Sequence, residues 1–127
     1  MADHRVPSSS PYSGPIGFSA AVRASDWVIV AGTTAVDEQG EVKGGAYEQA
    51  REALRKIAAA LEDAGASLDQ VVQTRMYVTD VALWEEVGRA HGEVLGDVRP
   101  AATMVGVAAL LDPRMLVEIE ALAWTGG

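Results

Sequence analysis

The apolar residues of this chain change their spacing along its length, and that change limits the possible folds more than any other feature. The run from Trp27 to Thr34, WVIVAGTT, is β-branched and bounded by turn residues, which is typical of a strand covered on both faces. From Tyr47 to Ala64, apolar residues recur at intervals of three and four, which predicts an amphipathic helix that ends at Gly65. The chain therefore combines strands with helices packed against them.

The remaining segments continue this pattern. A second helix is predicted from Asp80 to about Leu95, with Asp80 as its N-cap. Further strands are predicted for residues 16–23, 71–79, 100–110 and 116–124. The element order β-β-α-β-α-β-β predicts one α+β domain over residues 15–127, and the Ser- and Pro-rich residues 1–14 are interpreted as a flexible N-terminal arm.

One face of the predicted sheet has no helix to cover it, because two helices can cover only the other face. That uncovered face still carries apolar residues, for example Val105 and Val107 on the fourth strand, where they alternate with Met104. An exposed apolar sheet face usually marks an interface. We therefore expect the chain to form an oligomer.

Charge and composition exclude several classes of function. The net charge is −8, and the basic residues are scattered singly, so nucleic-acid binding is not expected. Cysteine is absent and His4 and His91 are the only histidines, so no disulfide or Cys/His metal site is expected. The apolar runs are far shorter than the ~20 residues of a membrane span, and residues 1–17 lack the apolar segment of a signal peptide. We expect a cytoplasmic protein without a membrane contact.

Five short motifs follow one another along the chain: Ala31-Gly32-Thr33, Asp63-Ala64-Gly65-Ala66, Tyr77-Val78-Thr79-Asp80, Arg99-Pro100-Ala101 and Val117-Glu118-Ile119-Glu120-Ala121. In this order they resemble the RidA (YjgF) family of small imine and enamine deaminases. The resemblance covers roughly residues 16–123. Each motif alone is short, but five in the right order over one small domain are specific.

The resemblance implies a chorismate-mutase-like α+β fold that assembles as a homotrimer. In such a trimer the sheets form an inner barrel, the helices lie outside, and small molecules bind in clefts between subunits. Members of the family hydrolyse enamines and imines such as 2-aminoacrylate to ketoacids and ammonia, without a metal or organic cofactor. Some members are described as ribonucleases, a function that the acidic composition of this chain does not support.

The resemblance also implies a set of site residues, most of which are changed in this chain, the essential arginine among them. The family's arginine, which binds the substrate carboxylate, corresponds to Ala102, while Glu118 keeps the glutamate that positions the attacking water. The other implied substrate-binding positions are Phe18 in place of tyrosine, Ala31 in place of serine, Gly88 in place of asparagine, Met104 in place of cysteine, and Thr33. Losing a bidentate cation in a shielded site costs a few kcal/mol, or ~100-fold. Deamination of 2-aminoacrylate should therefore be weak unless another cation substitutes.

Three side chains could supply replacement chemistry. His91 falls inside the apolar stripe of the second helix, so it either packs in a contact or lines the cleft as an acid or base. Arg75 lies in mid-strand, where it either pairs with Glu118 or Glu120 or provides the missing cation. Arg99 precedes the fourth strand and could lie at the rim, in a subunit contact or in the pocket.

These observations leave two classes of function open. One is a cofactor-free hydrolase, with Glu118 and His91 as catalytic residues, that deaminates a small imine or enamine between subunits of a trimer. The other is a trimer that binds a small metabolite without converting it, or one recruited to a different substrate. The loss of polar groups at Ala31, Gly88 and Ala102 motivates the second class, whereas Glu118 and His91 motivate the first, which we favour.

Overall fold

The structure is a computed structural model that describes residues 3–127. Within these residues it contains six strands and three helices. The strands are β1 (His4–Val6), β2 (Ala21–Ala24), β3 (Trp27–Thr33), β4 (Val71–Val78), β5 (Ala101–Gly106) and β6 (Val117–Trp124). The helices are α1 (Ser13–Ile16), α2 (Ala46–Asp63) and α3 (Trp84–Leu95), and 3-10 turns occupy Leu68–Gln70 and Val81–Leu83.

The described strands form a single mixed sheet in the order β1-β2-β3-β6-β4-β5. Neighbouring strands are antiparallel except β4 and β5, which are parallel. A parallel pair needs a crossover connection, and α3 provides it between β4 and β5. The predicted α+β architecture is confirmed, and β5 lies at one edge of the sheet with its outer side unpaired among the described residues.

The hydrophobic core lies between the sheet and the two long helices. The stripe predicted on the first long helix is confirmed, because Leu54, Ile57 and Leu61 of α2 are at most 1% exposed. They pack in the same cluster as the buried side chains of β3 and β6. The predicted helix end is also confirmed: Gly65 has a φ of 79°, in the left-handed region that glycine adopts without strain.

The opposite face of the sheet is uncovered in a single chain. Trp27 and Ile29 of β3 are 41% and 49% exposed, and Val105 of β5 is 42% exposed. Trp27 pairs across the strands with Trp124 of β6, with the two ring centroids 4.7 Å apart. This apolar outer face is the surface that the sequence predicts as an interface.

The N-terminal part of the chain differs from the prediction. Residues 1–14 were expected to form a flexible arm, but within the described part His4–Val6 forms β1 and pairs with β2. Val6 is 4% exposed, and its burial in the core anchors this short strand. The predicted strand over residues 16–23 begins only at Ala21, because Ile16 ends α1 and Gly17 follows with a φ of 89°.

Two other boundaries are shifted. The second long helix begins at Trp84, because Asp80 caps a 3-10 turn instead: its Oδ1 accepts a hydrogen bond of 2.9 Å from the Ala82 backbone N–H. The predicted strand over residues 100–110 ends at Gly106. In the described part of the chain, no helix has both the length and the hydropathy needed to cross a membrane.

Candidate functional site

A cavity of about 670 Å³ opens beside the ends of β3 and β6. Its floor is formed by side chains and backbone that the sheet holds in place: Phe18, Ala31, Gly32, Thr33, Tyr77 and Glu118. One wall comes from the segment that follows β1, and another comes from α2. Since pockets of roughly 300–1,000 Å³ accommodate small organic ligands, this cavity is large enough to bind one.

Glu118 is the ionisable group on the cavity floor that the sequence predicts as catalytic. It is half-buried on β6, and its carboxyl group lies against Gly32 of β3. Burial raises the pKa of the Glu118 carboxyl above its ordinary value, and the negative charge of Glu120 raises it further. A carboxyl with a raised pKa in a cavity is a stronger base than an exposed carboxyl, and this suits it to exchange protons with a ligand.

A second polar group adjoins Glu118 on the same face of the sheet. Glu120 accepts a short hydrogen bond from the Tyr77 hydroxyl, which raises the pKa of Tyr77. Arg75 Nη1 lies 3.3 Å from Glu120 Oε1. One of the two interpretations of Arg75 was an ion pair with a neighbouring glutamate, and Arg75 forms that pair with Glu120. The pair lies on the outer face of the sheet.

Lys56 supplies an ammonium group to the wall of the cavity that α2 forms. Its Nζ donates hydrogen bonds to the backbone carbonyls of Thr34, at 2.8 Å, and Val36, at 2.9 Å. Burial lowers the pKa of Lys56. Sequence analysis did not single out this residue, although Ala53 and Ala60, three positions before it and four after it, are both buried. That spacing places Lys56 beside the buried row of the helix.

The serine-rich segment after β1 forms another part of the cavity wall. Ser8 Oγ accepts a hydrogen bond of 3.1 Å from the Ser10 backbone N–H, and Ser10 Oγ accepts one of 3.2 Å from the Tyr12 backbone N–H. Ser13 Oγ donates to the Ser10 carbonyl at 2.8 Å. These local bonds shape the segment into consecutive turns against the cavity. Sequence analysis interpreted the same residues as a loose arm and assigned them no role.

Apart from Arg75, the predicted site residues fall into two groups in a single chain. Phe18, Ala31, Thr33 and Glu118 line the cavity. The second group, on or beside α3 and β5, does not line it; its members are Gly88, His91, Arg99, Ala102 and Met104.

The members of the second group lie at the α3–β5 edge of the molecule. Ala102 and Met104 are in register with Thr74 and Met76 of β4, so they share the face of the sheet that carries the helices. Ala102 is exposed, whereas Met104 is half-buried and packs against the core. Arg99 is exposed in the turn before β5 and has a φ of 55°.

His91 makes a specific contact between α3 and the sheet. Its Nε2 lies 2.9 Å from Oγ1 of Thr74, a residue that is 1% exposed. Burial lowers the pKa of His91. In one chain His91 therefore adopts the packed arrangement that was one of its two interpretations. Among residues 3–127, no three His, Cys, Asp or Glu side chains come together in a way that could hold a metal ion.

Comparison with known proteins gives consistent matches over the whole domain. The sequence model of the family described as Endoribonuclease L-PSP matches residues 10–125. The uncharacterized protein SCO2049 of Streptomyces coelicolor is 38% identical, over 98% of this chain and 94% of its own length. A RutC family protein of Pyrococcus abyssi, PYRAB12510, is also 38% identical, over 87% of this chain and 88% of its own.

Solved structures agree with these matches. Rv2704 of Mycobacterium tuberculosis, described as a member of the YjgF/YER057c/UK114 family, is 45% identical with a TM-score of 0.89, over 97% of this chain and 99% of that chain. The YjgF gene product of E. coli is 27% identical with a TM-score of 0.83, over 95% of this chain and 98% of that chain. The arrangement of strands and helices around the cavity is thus shared with these proteins.

Proposed function

Because this chain belongs to the Endoribonuclease L-PSP family, which includes the YjgF (RidA) proteins, we propose that it hydrolyses a small reactive imine or enamine without a cofactor. The observation that carries this proposal is the half-buried Glu118 carboxyl, held against Gly32 on the floor of a cavity of about 670 Å³. The reaction consumes an imine and one water and releases a carbonyl compound and ammonia.

Glu118 performs the proton transfers in this proposal. As a carboxylate it accepts a proton from the water whose oxygen attacks the imine carbon, and a C–O bond forms while the C=N pair of electrons moves to nitrogen. The proton then passes from Glu118 to that nitrogen. Glu118 next accepts the proton of the carbinolamine hydroxyl group and returns it to the amino nitrogen, so that the C–N bond breaks, ammonia leaves and the C=O bond forms. The raised pKa of Glu118 makes its carboxylate a stronger base than an exposed one, which favours the proton transfer from water.

The two groups of predicted site residues support a cleft shared between subunits. We propose a homotrimer in the cytoplasm, in which the α3–β5 edge of one copy faces the cavity of the next and brings Gly88, His91 and Ala102 to it. The exposed apolar outer face around Trp27 supports this assembly, because burying that face would stabilise the trimer. The exposed edge of β5 supports it as well, since such edges are usually covered.

The residues at the shared cleft indicate what the substrate lacks. Ala102 provides neither a charge nor a hydrogen-bond donor for a carboxylate attached to the imine carbon. We propose that the substrate carries no carboxylate at that position, so that 2-aminoacrylate is converted slowly. The alternative function is binding of a small metabolite without conversion, which the apolar character of Ala31, Gly88 and Ala102 favours.

Cleavage of RNA is not proposed, although the name of the matching family and those of some similar structures include it, such as a putative endoribonuclease of Thermotoga maritima. The net charge of −8 opposes binding of a polyanion, because such binding depends on lysines and arginines that neutralise phosphates.

The experiment compares the parent with Ala102→Arg on two kinds of imine. One is 2-aminoacrylate, generated in the assay by a serine dehydratase; the other is an imine without a carboxylate at the imine carbon. We expect the parent to accelerate release of ammonia from the second, and Ala102→Arg to gain roughly 100-fold on 2-aminoacrylate. If neither protein accelerates any imine while both bind the corresponding ketone, the binding function replaces the enzymatic one.

A further inference from the structure

The lining of the cavity includes the ammonium group of Lys56, which the proposed reaction does not use. We infer that Lys56 and the serine-rich wall, defined as Ser8 and Ser10, bind an anionic group of the ligand at a distance from Glu118. The inference rests on the proposed function for the identity of the other end of the ligand, which places a C=N or C=O group at Glu118.

The ammonium group of Lys56 has one N–H free for a ligand. An ammonium has three donors, and two of them bond to the carbonyls of Thr34 and Val36. Within the described residues, no carboxylate lies within 4.0 Å of Lys56 Nζ. A half-buried cation that is not paired with a carboxylate is unfavourable, and an anion in the cavity would offset that cost.

The carboxylates near Lys56 are engaged by other groups. Glu52 accepts hydrogen bonds from Arg55 Nε at 2.8 Å and Nη2 at 2.7 Å. Asp37 Oδ1 accepts the backbone N–H groups of Gln39 and Glu41, both at 2.9 Å. Through space, the negative charges of both carboxylates partly offset the lowering of the Lys56 pKa by burial. Neither carboxylate accepts a hydrogen bond from the third N–H of the Lys56 ammonium group. The anion partner of Lys56 is therefore expected to come from the ligand.

The serine-rich wall adds neutral donors to the same cavity. The hydroxyl oxygens of Ser8 and Ser10 accept backbone N–H groups, so each hydroxyl keeps its own proton for donation. Both residues are half-buried and line the cavity together with Lys56. A cation and hydroxyl donors that line one cavity are together suited to bind a carboxylate.

The position of the anion along the ligand follows from the proposed substrate. The Glu118 carboxyl lies against Gly32, and Lys56 bonds to the carbonyl of Thr34, two residues further along. The two groups do not form an ion pair, since no carboxylate oxygen lies within 4.0 Å of Lys56 Nζ in the described part of the chain. The proposed substrate has no carboxylate on its imine carbon, so the anion that Lys56 binds is attached further along the molecule. The ligand is therefore a molecule with its anion several bonds from the C=N group.

The test measures binding of a ketone that represents this class. The probe is 6-oxoheptanoate, and its neutral amide, 6-oxoheptanamide, differs only in the charge at the far end. By titration calorimetry we expect the parent to bind the acid more tightly than the amide. Lys56→Gln, which keeps an N–H donor for the carbonyls, is expected to weaken binding of the acid roughly tenfold or more and to leave binding of the amide unchanged. Lys43→Gln removes an exposed lysine from outside the cavity and should change neither.

Two further readouts separate this role from a structural one. Lys56→Arg keeps the charge and is expected to keep the preference for the acid. Equal loss of acid and amide binding in Lys56→Gln, together with a lower melting temperature, would mean that Lys56 only anchors the loop around Thr34 and Val36, and the inference would be overturned. A parent without preference for the acid would overturn it too. Because this test measures binding, turnover that survives in Glu118→Gln would refute the proposed reaction alone.

Discussion

The Glu118 carboxyl group lies directly against the backbone of Gly32. A Cβ atom on residue 32 would lie 3.0 Å from both Cδ and Oε2 of Glu118, which is closer than side chains normally approach. Gly32 belongs to β3 and Glu118 to β6, which is the next strand in the sheet but lies more than eighty residues away in the sequence. The glycine is therefore required for close approach of the carboxyl, and its position decides where that group points.

Adding one methyl group at residue 32 should disturb the chemistry more than the fold. In Gly32→Ala the new Cβ displaces the end of a flexible side chain, so the melting temperature is expected to change little. The displaced carboxyl should lower the rate of imine hydrolysis roughly 10- to 100-fold, because small errors in the placement of a catalytic group are costly. Gly14→Ala is the matched control, since nothing lies within 4 Å of a Cβ there. Equal rates in both variants would contradict the placement of Glu118.

Removing the charge of Glu120 should shift the pH dependence of the reaction. The negative charge of Glu120 raises the pKa of Glu118, so Glu120→Gln is expected to lower that pKa. Since the carboxylate form of Glu118 is the active one, the acidic limb of the pH–rate profile should move to lower pH. Glu62→Gln, at an exposed position of α2, should leave the limb in place. A limb that does not move in Glu120→Gln would show that Glu118 titrates independently of Glu120.

Protonation of His91 should destabilise the folded chain. Burial lowers the pKa of His91 below its ordinary value of 6.5, so the unfolded chain binds this proton at higher pH than the folded chain does. The contribution of the neutral imidazole to stability is therefore present above about pH 6.5 and is lost as the pH falls towards the lower folded pKa. Denaturant unfolding should show a smaller fall in stability from pH 7.5 to 5.5 for His91→Gln than for the parent. His4→Gln, at an exposed position, should show the same fall in stability as the parent. If His91→Gln also shows the same fall as the parent, the packing of His91 does not hold its imidazole neutral.

A charge on the outer face of the sheet should prevent assembly. Trp27 is 41% exposed in one chain and contacts Trp124 at a ring-centroid distance of 4.7 Å. In the proposed trimer this face is buried, so Trp27→Glu would bury an unpaired charge, and the variant is expected to be monomeric. Light scattering after size exclusion should give the mass of three 13.3 kDa chains for the parent and of one for the variant. Lys43→Glu, at an exposed position, is the control and should remain trimeric. If the parent itself is monomeric, the proposed trimer is wrong.

The sequence predicts the fold well where residue spacing determines the structure. The recurrence of Leu54, Ile57 and Leu61 predicts the buried stripe of α2, and the β-branched run after Trp27 predicts β3. It does not predict β1, because two of its three residues are exposed and so short a segment has no periodicity. The pairing of β1 with β2 and the burial of Val6 decide that strand, and both are tertiary interactions.

The candidate site is predicted only in part, for a similar reason. The resemblance identifies Glu118, but the contact of Glu118 with Gly32 depends on the register of β3 against β6, which is irregular between Val30 and Thr33. Lys56 was missed because a lysine on an amphipathic helix is usually solvated, and only the carbonyls of a distant loop reveal its orientation. Local patterns cannot report contacts between segments that are far apart in the chain.

The most direct test of the account is the rate of ammonia release from an imine, compared between the parent and Glu118→Gln. The imine should lack a carboxylate at its reacting carbon, so that Ala102 does not limit binding. If Glu118 transfers the protons, the parent accelerates hydrolysis and Glu118→Gln loses roughly 100-fold or more of that acceleration. We expect Glu118→Gln still to bind the ketone product. Equal rates in the two proteins would contradict this role of Glu118, because the cavity would then hydrolyse imines without the carboxyl around which it is arranged.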